Sequence, residues 1–243
     1  MSDIDINKFL SFYKDIPTRP NHSLYPPHPY RLLMYGPSGC GKTYQLMDIL
    51  MNRKIYFDKL YIFAKDLEEN KYRALDDYFS KILPEQMNLD EPILVTKSSD
   101  LADVPNPDSL DRKKQHLFVF DDMVTEKESS QKLIKDFFIR GRKVNAAIIY
   151  ITQSYFNVPK IIRDNLSHLV LFGANSRTEL KRIAREWATG IEVQEFMKIY
   201  DSCIAKNHGY MVVDRNNEIL CMRFRRGWDE ICTHLVDKMI TDG

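Results

Sequence analysis

The sequence predicts an α/β fold in which helices cover both faces of a mostly parallel β-sheet. Short apolar segments, typical of buried strands, alternate along the chain with segments that are free of Gly and Pro and rich in helix-forming residues. Residues 36–43 also form a glycine-rich turn of the kind that joins a strand to a helix. The chain of 243 residues, 44% hydrophobic and 28% charged, is long enough for one such domain.

The elements of this fold can be assigned in chain order. Apolar runs predict strands at 31–35, 59–64, 93–95, 116–120, 146–152 and 166–172. Helices are expected at 43–51, 70–83, 128–140 and about 176–188, with a polar loop at 100–115. Near the end, 209–213 and 218–224 flank an Asn-rich turn and predict a β-hairpin, in which Arg223 and Arg225 share one strand face.

The glycine-rich turn matches the phosphate-loop pattern G-x-x-x-x-G-K-T without a mismatch. Its residues are Gly36, Pro37, Ser38, Gly39, Cys40, Gly41, Lys42 and Thr43. The glycines let backbone N–H groups point inward at phosphate oxygens, and the following helix directs its positive end at them. Lys42 can reach the β- and γ-phosphates, and the Thr43 hydroxyl can ligate Mg²⁺. The motif therefore predicts that the ligand is a nucleoside triphosphate with its magnesium.

The chain is predicted to divide into an N-terminal segment and the phosphate-loop domain. Residues 3–15 have an amphipathic pattern that predicts a short helix. The five prolines between positions 17 and 29 exclude a regular helix in the segment that follows. We expect residues 1–29 to form an N-terminal arm and Pro-rich linker, and residues 30–243 to form the phosphate-loop domain. The arm either reaches a neighbouring subunit or packs on its own domain, and we favour the second arrangement.

Three further positions complete a candidate hydrolytic site. Asp121 and Asp122 end an apolar strand, so Asp121 can hold Mg²⁺ and Asp122 can act as general base or orient the attacking water. A pair of acids could instead cap the next helix. Gln153 follows another inner strand, where ligands bind in open α/β sheets, and can contact the γ-phosphate or the water. An ordinary turn residue is the alternative for Gln153.

Arginines in the turn before the strand at 146–152 are candidates for an arginine finger. An arginine that contacts the γ-phosphate can raise the hydrolysis rate by orders of magnitude. Because this turn lies at the far end of the sheet, Arg142, with Arg140 as second choice, would serve a neighbouring subunit's site. A solvated basic turn or a DNA-contacting turn is the alternative.

The composition indicates the kind of compartment in which the protein is found, but it does not decide what the basic region binds. Net charge is +1, yet residues 131–163 contain seven Lys/Arg and one acid, whereas 64–126 contain fifteen Asp/Glu and eight Lys/Arg. The basic region, with Tyr155 and Phe156 nearby, could bind nucleic-acid backbone or the acidic region of a neighbour.

Four cysteines without metal-binding spacing favour a reducing compartment, and no apolar stretch approaches the length of a membrane span. The scattered histidines receive no catalytic role, and Trp187 and Trp228 are expected to pack in the core or an interface.

Taken in order, these motifs resemble the FtsK–HerA superfamily of P-loop ATPases, and within it the viral genome-packaging ATPases of poxviruses and virophages. The resemblance covers about residues 28–226 and rests on the phosphate loop, Phe-Val-Phe-Asp-Asp at 118–122, the Arg-containing turn, and Tyr-Ile-Thr-Gln-Ser at 150–154. It implies a three-layer, RecA-like (ASCE) P-loop fold with a C-terminal β-hairpin. One departure is Asp122, where many members carry Glu; because Asp is shorter, the water that it orients must lie closer.

The resemblance also implies an activity and partners. These are ATP hydrolysis coupled to translocation of double-stranded DNA into a capsid, by a homo-oligomeric ring of five or six subunits that contacts capsid or portal-vertex proteins. It implies a location in the host cytoplasm or viral factory, or in the virion. The alternatives are a nucleotide-dependent switch or structural NTP-binding module, and a replicative helicase-type ATPase. A helicase is disfavoured because no accessory initiator domain is visible.

Overall fold

The central element of the protein is a nine-stranded sheet. In the computed structural model, residues 21–87, 92–123 and 128–232 are described. The strands are β1 (Arg31–Tyr35), β2 (Lys59–Ala64), β3 (Leu94–Ser98), β4 (His116–Asp121), β5 (Ala146–Thr152), β6 (His168–Leu171), β7 (Met211–Asp214), β8 (Phe224–Arg226) and β9 (Glu230–Ile231). Their order is β3-β2-β4-β5-β1-β6-β7-β8-β9. The six strands from β3 to β6 run parallel, and the pairs beyond β6 are antiparallel.

The described helices fall between these strands. They are α1 (Lys42–Met51), α2 (Asn70–Asp77), α3 (Leu83–Met87), α4 (Glu128–Arg140), α5 (Lys160–Asp164), α6 (Arg177–Trp187), α7 (Val193–Ile204) and α8 (Leu220–Arg223). A π-helical segment, Tyr78–Ile82, joins α2 to α3. The predicted helix at 3–15 lies outside the described residues.

Alternating side chains of the strands build two separate cores, one on each face of the sheet. On β1, Leu33 and Tyr35 join the core that α4, α5, α6 and α7 cover, whereas Leu32 and Met34 join the core beneath α1 and α2. Both faces of the parallel strands are therefore apolar, which explains their nearly unbroken hydrophobic sequences. The predicted three-layer α/β fold with a mostly parallel sheet is confirmed.

Near the C-terminus the structure differs from the predicted elements in two places. No helix was predicted over α7, although Phe196, Ile199, Tyr200 and Cys203 are buried along one helical face. The segment 218–224 is not a strand: it contains the helical turn α8, and the strand β8 starts only at Phe224. The antiparallel pair β7–β8 forms the C-terminal hairpin, but through a longer connection than predicted.

The prediction that Arg223 and Arg225 share one strand face is therefore wrong. Arg223 lies in α8 and donates hydrogen bonds to the carbonyl oxygens of Asn217 (2.7 Å) and Thr189 (2.6 Å). Arg225 is buried in β8, where its guanidinium donates to the carbonyl oxygens of Leu24 (2.9 Å) and Trp228 (2.7 Å). Because a helical turn and a strand place successive side chains differently, the two arginines do not share a face. Each of them instead donates hydrogen bonds to backbone carbonyl oxygens within the fold.

The described end of the predicted linker packs on its own domain, both near the C-terminal strands and before β2. Tyr25 stacks on Trp228 with ring centroids 4.6 Å apart, and the Asn21 side chain accepts a hydrogen bond from the Tyr56 N–H. Trp187 and Trp228 are both buried, as expected for core residues. Among the described residues, no helix combines the length and the apolar character that crossing a bilayer requires.

Candidate nucleotide-binding site

A cleft of about 910 Å³ opens at the edge where the parallel strands end. The register pairs Tyr35 of β1 with Thr152 of β5, and Ile151 of β5 with Asp121 of β4, so the ends of these three strands lie side by side. The phosphate loop that follows β1 therefore faces the acidic end of β4. Lys42, Thr43, Asp121, Asp122 and Gln153 all line this one cleft.

The phosphate loop has the backbone shape that its glycines predict. Gly41 has φ +106°, in the left-handed region, and directly precedes α1 without any side-chain cap. At Gly36, an added Cβ would lie 2.8 Å from the Cys40 sulfur and 2.9 Å from the Phe172 Cβ, so this position admits only glycine. The ten-residue helix α1 begins at the lining of the cleft, and its N-terminus has no side-chain cap, as anion binding requires.

Lys42 is buried inside this loop. Its Nζ donates hydrogen bonds to the carbonyl oxygens of Gly36 and Pro37, both at 2.7 Å, and contacts the Cys40 sulfur at 3.7 Å. The loop carbonyls thus hold the ammonium group in place where it lines the cleft. A phosphate group entering the cleft would meet this partly desolvated positive charge together with the N–H groups of α1.

Asp121 is held by two side chains of α2. Its Oδ2 accepts hydrogen bonds from the Tyr72 hydroxyl (2.6 Å) and from Lys71 Nζ (3.1 Å), and Lys71 also pairs with Glu69 (3.1 Å). Burial lowers the pKa of Lys71, but the two carboxylates outweigh burial and the net shift is upward. Burial, with Asp121 adding to it, strongly raises the pKa of Tyr72, which therefore stays a neutral donor. The Asp121 carboxylate is therefore held in place by one neutral and one cationic donor.

Lys71 and Tyr72 are functional candidates that the sequence analysis missed. They belong to a segment in which only a helix was predicted, and they are separated from Asp121 by 50 and 49 positions. The pairing of β2 with β4, which sets Ala64 beside Asp121, brings the start of α2 to the cleft. A long-range pairing of this kind leaves no local signal in the sequence.

Asp122 occupies an unusual backbone conformation at the end of β4. Its φ of +55° lies in the left-handed region, which non-glycine residues rarely adopt and which costs of order 1 kcal/mol or more. Its N–H donates to the Ile151 carbonyl oxygen at 3.0 Å, so the pairing with β5 holds the backbone in place. This turn directs the partly exposed carboxylate toward Gln153, whose Nε2 donates to Asp122 Oδ2 at 3.4 Å.

The structure thus brings the predicted base and the predicted sensor together. A water molecule between Asp122, Gln153 and a bound phosphate could be oriented by the amide and deprotonated by the carboxylate. Thr43 and Asp121 offer a hydroxyl and a carboxylate oxygen, the hard ligands that Mg²⁺ prefers. Within the described residues no cluster of three His, Cys, Asp or Glu forms a separate metal centre.

The other side of the phosphate loop is lined by rings. The Tyr44 side chain is 80% exposed, and His208 lies against Gly41, where an added Cβ would be 3.5 Å from His208 Nδ1. Tyr210 packs on Phe172 with ring centroids 4.9 Å apart. All four rings line the cleft, and Phe172, His208 and Tyr210 lie next to the ends of β6 and β7, on the side of β1 away from β5 and β4. The cleft therefore has an acidic side suited to phosphate chemistry and an aromatic side suited to stacking on a base. No motif in the sequence predicts a role for any of these rings.

Arg140 and Arg142 are not brought to this cleft. The turn Gly141–Val144 precedes β5, whose seven residues span about 20 Å at about 3.3 Å per residue, so the turn and the phosphate loop lie at opposite edges of the sheet. Arg140 forms ion pairs with Asp108 and, at 3.0 Å, with Asp136. Arg142 is exposed. Arg142 is therefore the freer of the two, and its action on a neighbouring subunit stays a prediction.

The seven Lys/Arg of the basic region at 131–163 lie on α4, on the turn Gly141–Val144 and on α5. Tyr155 is fully buried there, with its hydroxyl bonded to Glu186 (2.7 Å) and to Trp187 Nε1 (2.7 Å), so it is not available to a nucleic acid. Phe156 is partly exposed and lies between Arg163 and Arg182. Of the two aromatic residues, only Phe156 lies at the basic surface.

Comparison with known proteins agrees with this geometry. The family model described as "Poxvirus A32 protein" matches residues 21–242. DNA packaging protein OPG160 of Vaccinia virus (strain Copenhagen) is 22% identical over 215 residues, which cover 88% of this chain and 77% of that protein. The Monkeypox virus protein of the same name is 22% identical over 222 residues, with 88% and 70% covered.

Solved structures show the same fold at low sequence identity. The DNA-packaging ATPase B204 from Sulfolobus turreted icosahedral virus has a TM-score of 0.54 at 14% identity, over 78% of this chain and 94% of that one. The genome-packaging NTPase B204 from Sulfolobus turreted icosahedral virus 2, in complex with ATP-gammaS, has a TM-score of 0.51 at 14% identity, over 77% and 93%. The resemblance predicted from the motifs is confirmed, and the chain belongs to the poxvirus A32 protein family.

Proposed function

We propose that this protein is an ATP-driven motor that translocates double-stranded DNA and packages a viral genome into a capsid. The observation that carries the proposal is the convergence of the phosphate loop, Asp121, Asp122 and Gln153 in one cleft. Membership of the poxvirus A32 family supports the packaging role, since relatives from Vaccinia and Monkeypox viruses are named DNA packaging proteins.

In the proposed mechanism the chain's own groups bind and orient the triphosphate. The N–H groups of the loop and α1, with Lys42, bind the β- and γ-phosphates. Thr43 and Asp121 would hold Mg²⁺, which when bound screens the phosphate charge. Asp122 accepts the proton of the attacking water, and Gln153 fixes that water in line with the γ-phosphate. Because Gln153 and Asp122 touch, loss of the γ-phosphate is sensed directly at the end of β5.

The proposal extends to an assembly. A ring of five or six subunits would place the exposed Arg142 of one subunit at the phosphate edge of the next, where it would stabilise the charge that develops during hydrolysis. Double-stranded DNA would be gripped by basic surfaces, and capsid or portal-vertex proteins would anchor the ring. We place the protein in the reducing host cytoplasm or viral factory, or in the virion.

The test is ATPase activity measured with and without double-stranded DNA over a range of protein concentrations. We expect DNA to stimulate hydrolysis, with a steep concentration dependence, because a shared site needs two subunits. Lys42→Ala should abolish turnover, whereas Lys114→Ala, an exposed lysine outside the cleft, should not. Asp122→Asn should bind ATP without hydrolysing it. Slow turnover that ignores DNA would instead indicate a nucleotide-dependent switch, and strand separation on a forked duplex would indicate a helicase.

A further inference from the structure

A second concave surface lies on α6, away from the nucleotide cleft. A groove of about 300 Å³ runs between α6 and α7, and it is lined by Arg177, Thr178, Lys181, Arg182, Arg185 and Met197. The opposite face of α6 is buried in the core through Leu180, Ile183, Ala184 and Trp187. The helix is therefore fixed in place, with four cationic side chains exposed on its outer face.

Most of this positive charge is not neutralised by neighbouring acids. Arg177 pairs with Asp201 at 2.6 Å, but both side chains are largely exposed, which makes the pair weak. Within the described ranges, Lys181, Arg182 and Arg185 form no ion pair. The two acids of α6 are directed elsewhere: Glu179 accepts a hydrogen bond from the Asn175 N–H, and Glu186 pairs with Arg163 at 2.7 Å. The groove consequently carries a net positive charge.

An aromatic ring extends the groove toward α5 and orders its edge. The Arg182 guanidinium carbon lies 3.7 Å from the Phe156 ring centroid, and that of Arg163 lies 5.0 Å from the same centroid. Arg163 is fixed further by its ion pair with Glu186. Guanidinium groups stacked on a ring lose less conformational entropy when they bind an anion, so this edge is preorganised.

The spacing of the cations fits a regular polyanion. Arg177, Lys181 and Arg185 follow one another at four-residue intervals, which places them about 6 Å apart along about 12 Å of helix axis. Over that length one DNA strand presents three to four phosphates, at about 3.4 Å per phosphate along the duplex axis. The exposed helix face can therefore contact several consecutive phosphates of one strand.

An acidic surface of a second subunit is the less suitable partner. In the acid-rich segment 64–126 several carboxylates are paired within their own chain: Asp76 with Lys97, Asp77 with Lys81, and Glu68 with Arg73. Asp108 is likewise paired with Arg140. These carboxylates would have to give up their cationic partners to bind the groove, whereas DNA phosphates hold only exchangeable counterions.

We propose that the groove between α6 and α7 binds the phosphate backbone of double-stranded DNA without sequence preference. This assignment rests on the proposed function, because a translocating motor must hold DNA at any sequence. Backbone contacts from Arg and Lys supply that kind of binding, and they make it strongly dependent on salt.

The test is binding of the full-length chain to a fluorescent duplex of about 30 base pairs, measured across a salt series. Lys181→Ala/Arg185→Ala removes two exposed charges and leaves Arg182 on its ring. Lys113→Ala/Lys114→Ala, on the exposed loop before β4, is the matched control. We expect the groove variant to bind about tenfold or more weakly near 0.1 M salt, with a salt slope lower by about 1 to 2, and the control to bind normally. Arg185→Glu should weaken binding in the same direction.

The outcomes separate the groove from the wider function. Basal ATPase activity and thermal unfolding of the groove variant should match those of the wild type, which shows that the variant folds. If the wild type binds DNA and the groove variant binds equally well with an unchanged salt slope, the groove assignment is wrong while the motor proposal stands. Loss of self-association with DNA binding retained would also overturn it, by making the groove a subunit contact. A wild type that neither binds DNA nor hydrolyses ATP would refute both.

Discussion

The ion pair between Lys71 and Asp121 allows a prediction about how magnesium and nucleotide enter the site. Lys71 Nζ lies 3.1 Å from Asp121 Oδ2, and the two side chains are 19% and 11% exposed. The carboxylate that would hold Mg²⁺ is thus already neutralised by an ammonium group. A magnesium–nucleotide complex must therefore displace Lys71 or share Asp121 with it. Lys71→Met keeps most of the apolar stem and removes the charge.

The size of the effect follows from this geometry. At 3.1 Å and an effective dielectric constant of about 20, the gross attraction is about 5 kcal/mol. Desolvation of the ammonium group offsets much of that attraction, and the Tyr72 hydrogen bond to Asp121 remains in the variant. We expect the nucleotide-free variant to lose about 1–3 kcal/mol of unfolding free energy. In the wild type this ion pair must be weakened or broken when Mg²⁺ binds Asp121. If that costs about 1–2 kcal/mol, the magnesium–nucleotide complex should bind Lys71→Met about 5–30-fold more tightly than it binds the wild type.

The assay pairs denaturant unfolding of the nucleotide-free protein with the affinity for a fluorescent, non-hydrolysable ATP analogue. Affinity is measured with Mg²⁺ and with EDTA, and the gain should appear only with Mg²⁺. Lys97→Met is the matched control, because Lys97 pairs with Asp76 away from the cleft. It should lower stability and leave affinity unchanged. Weaker magnesium–nucleotide binding by Lys71→Met would refute the reasoning and assign Lys71 to the phosphates.

Two further predictions concern pH and subunit cooperation. Burial lowers the pKa of His28 and His116 below the ordinary 6.5, so the unfolded chain takes up protons first as pH falls, and unfolding free energy should decrease from about pH 7.5 to 5. Urea unfolding of His116→Gln should show a smaller decrease, and an unchanged pH slope would contradict this account. Mixing Arg142→Ala with Lys42→Ala subunits should restore part of the ATPase activity, since some interfaces regain one intact loop and one intact arginine. Activity no higher than that of either variant alone would argue against an arginine that acts in trans.

Local sequence patterns predicted most of the strands, because a uniformly apolar segment of strand length is compatible with few structures other than a buried strand. The strands β1, β2, β4 and β5 are buried on both faces, and their sequences are nearly continuous apolar runs. Segment 218–224 is short and mixed, so its alternation could not distinguish a strand from a helical turn. Contacts from Arg223 to carbonyl oxygens outside the segment favour the turn. The missed helix α7 did carry the spacing of a helix in Phe196, Ile199 and Cys203.

For the candidate site, the sequence alone determined the phosphate loop, because its chemistry is contained in eight consecutive residues with fixed backbone demands. It also predicted Asp121, Asp122 and Gln153, since each directly follows or ends an apolar strand. Only the tertiary structure placed Lys71 and Tyr72 on Asp121, His208 against Gly41, and the Phe156 ring against Arg182 of α6. These arrangements depend on which strands are neighbours and on which helix faces are covered. Long-range packing decides both, and no local stretch of sequence encodes them.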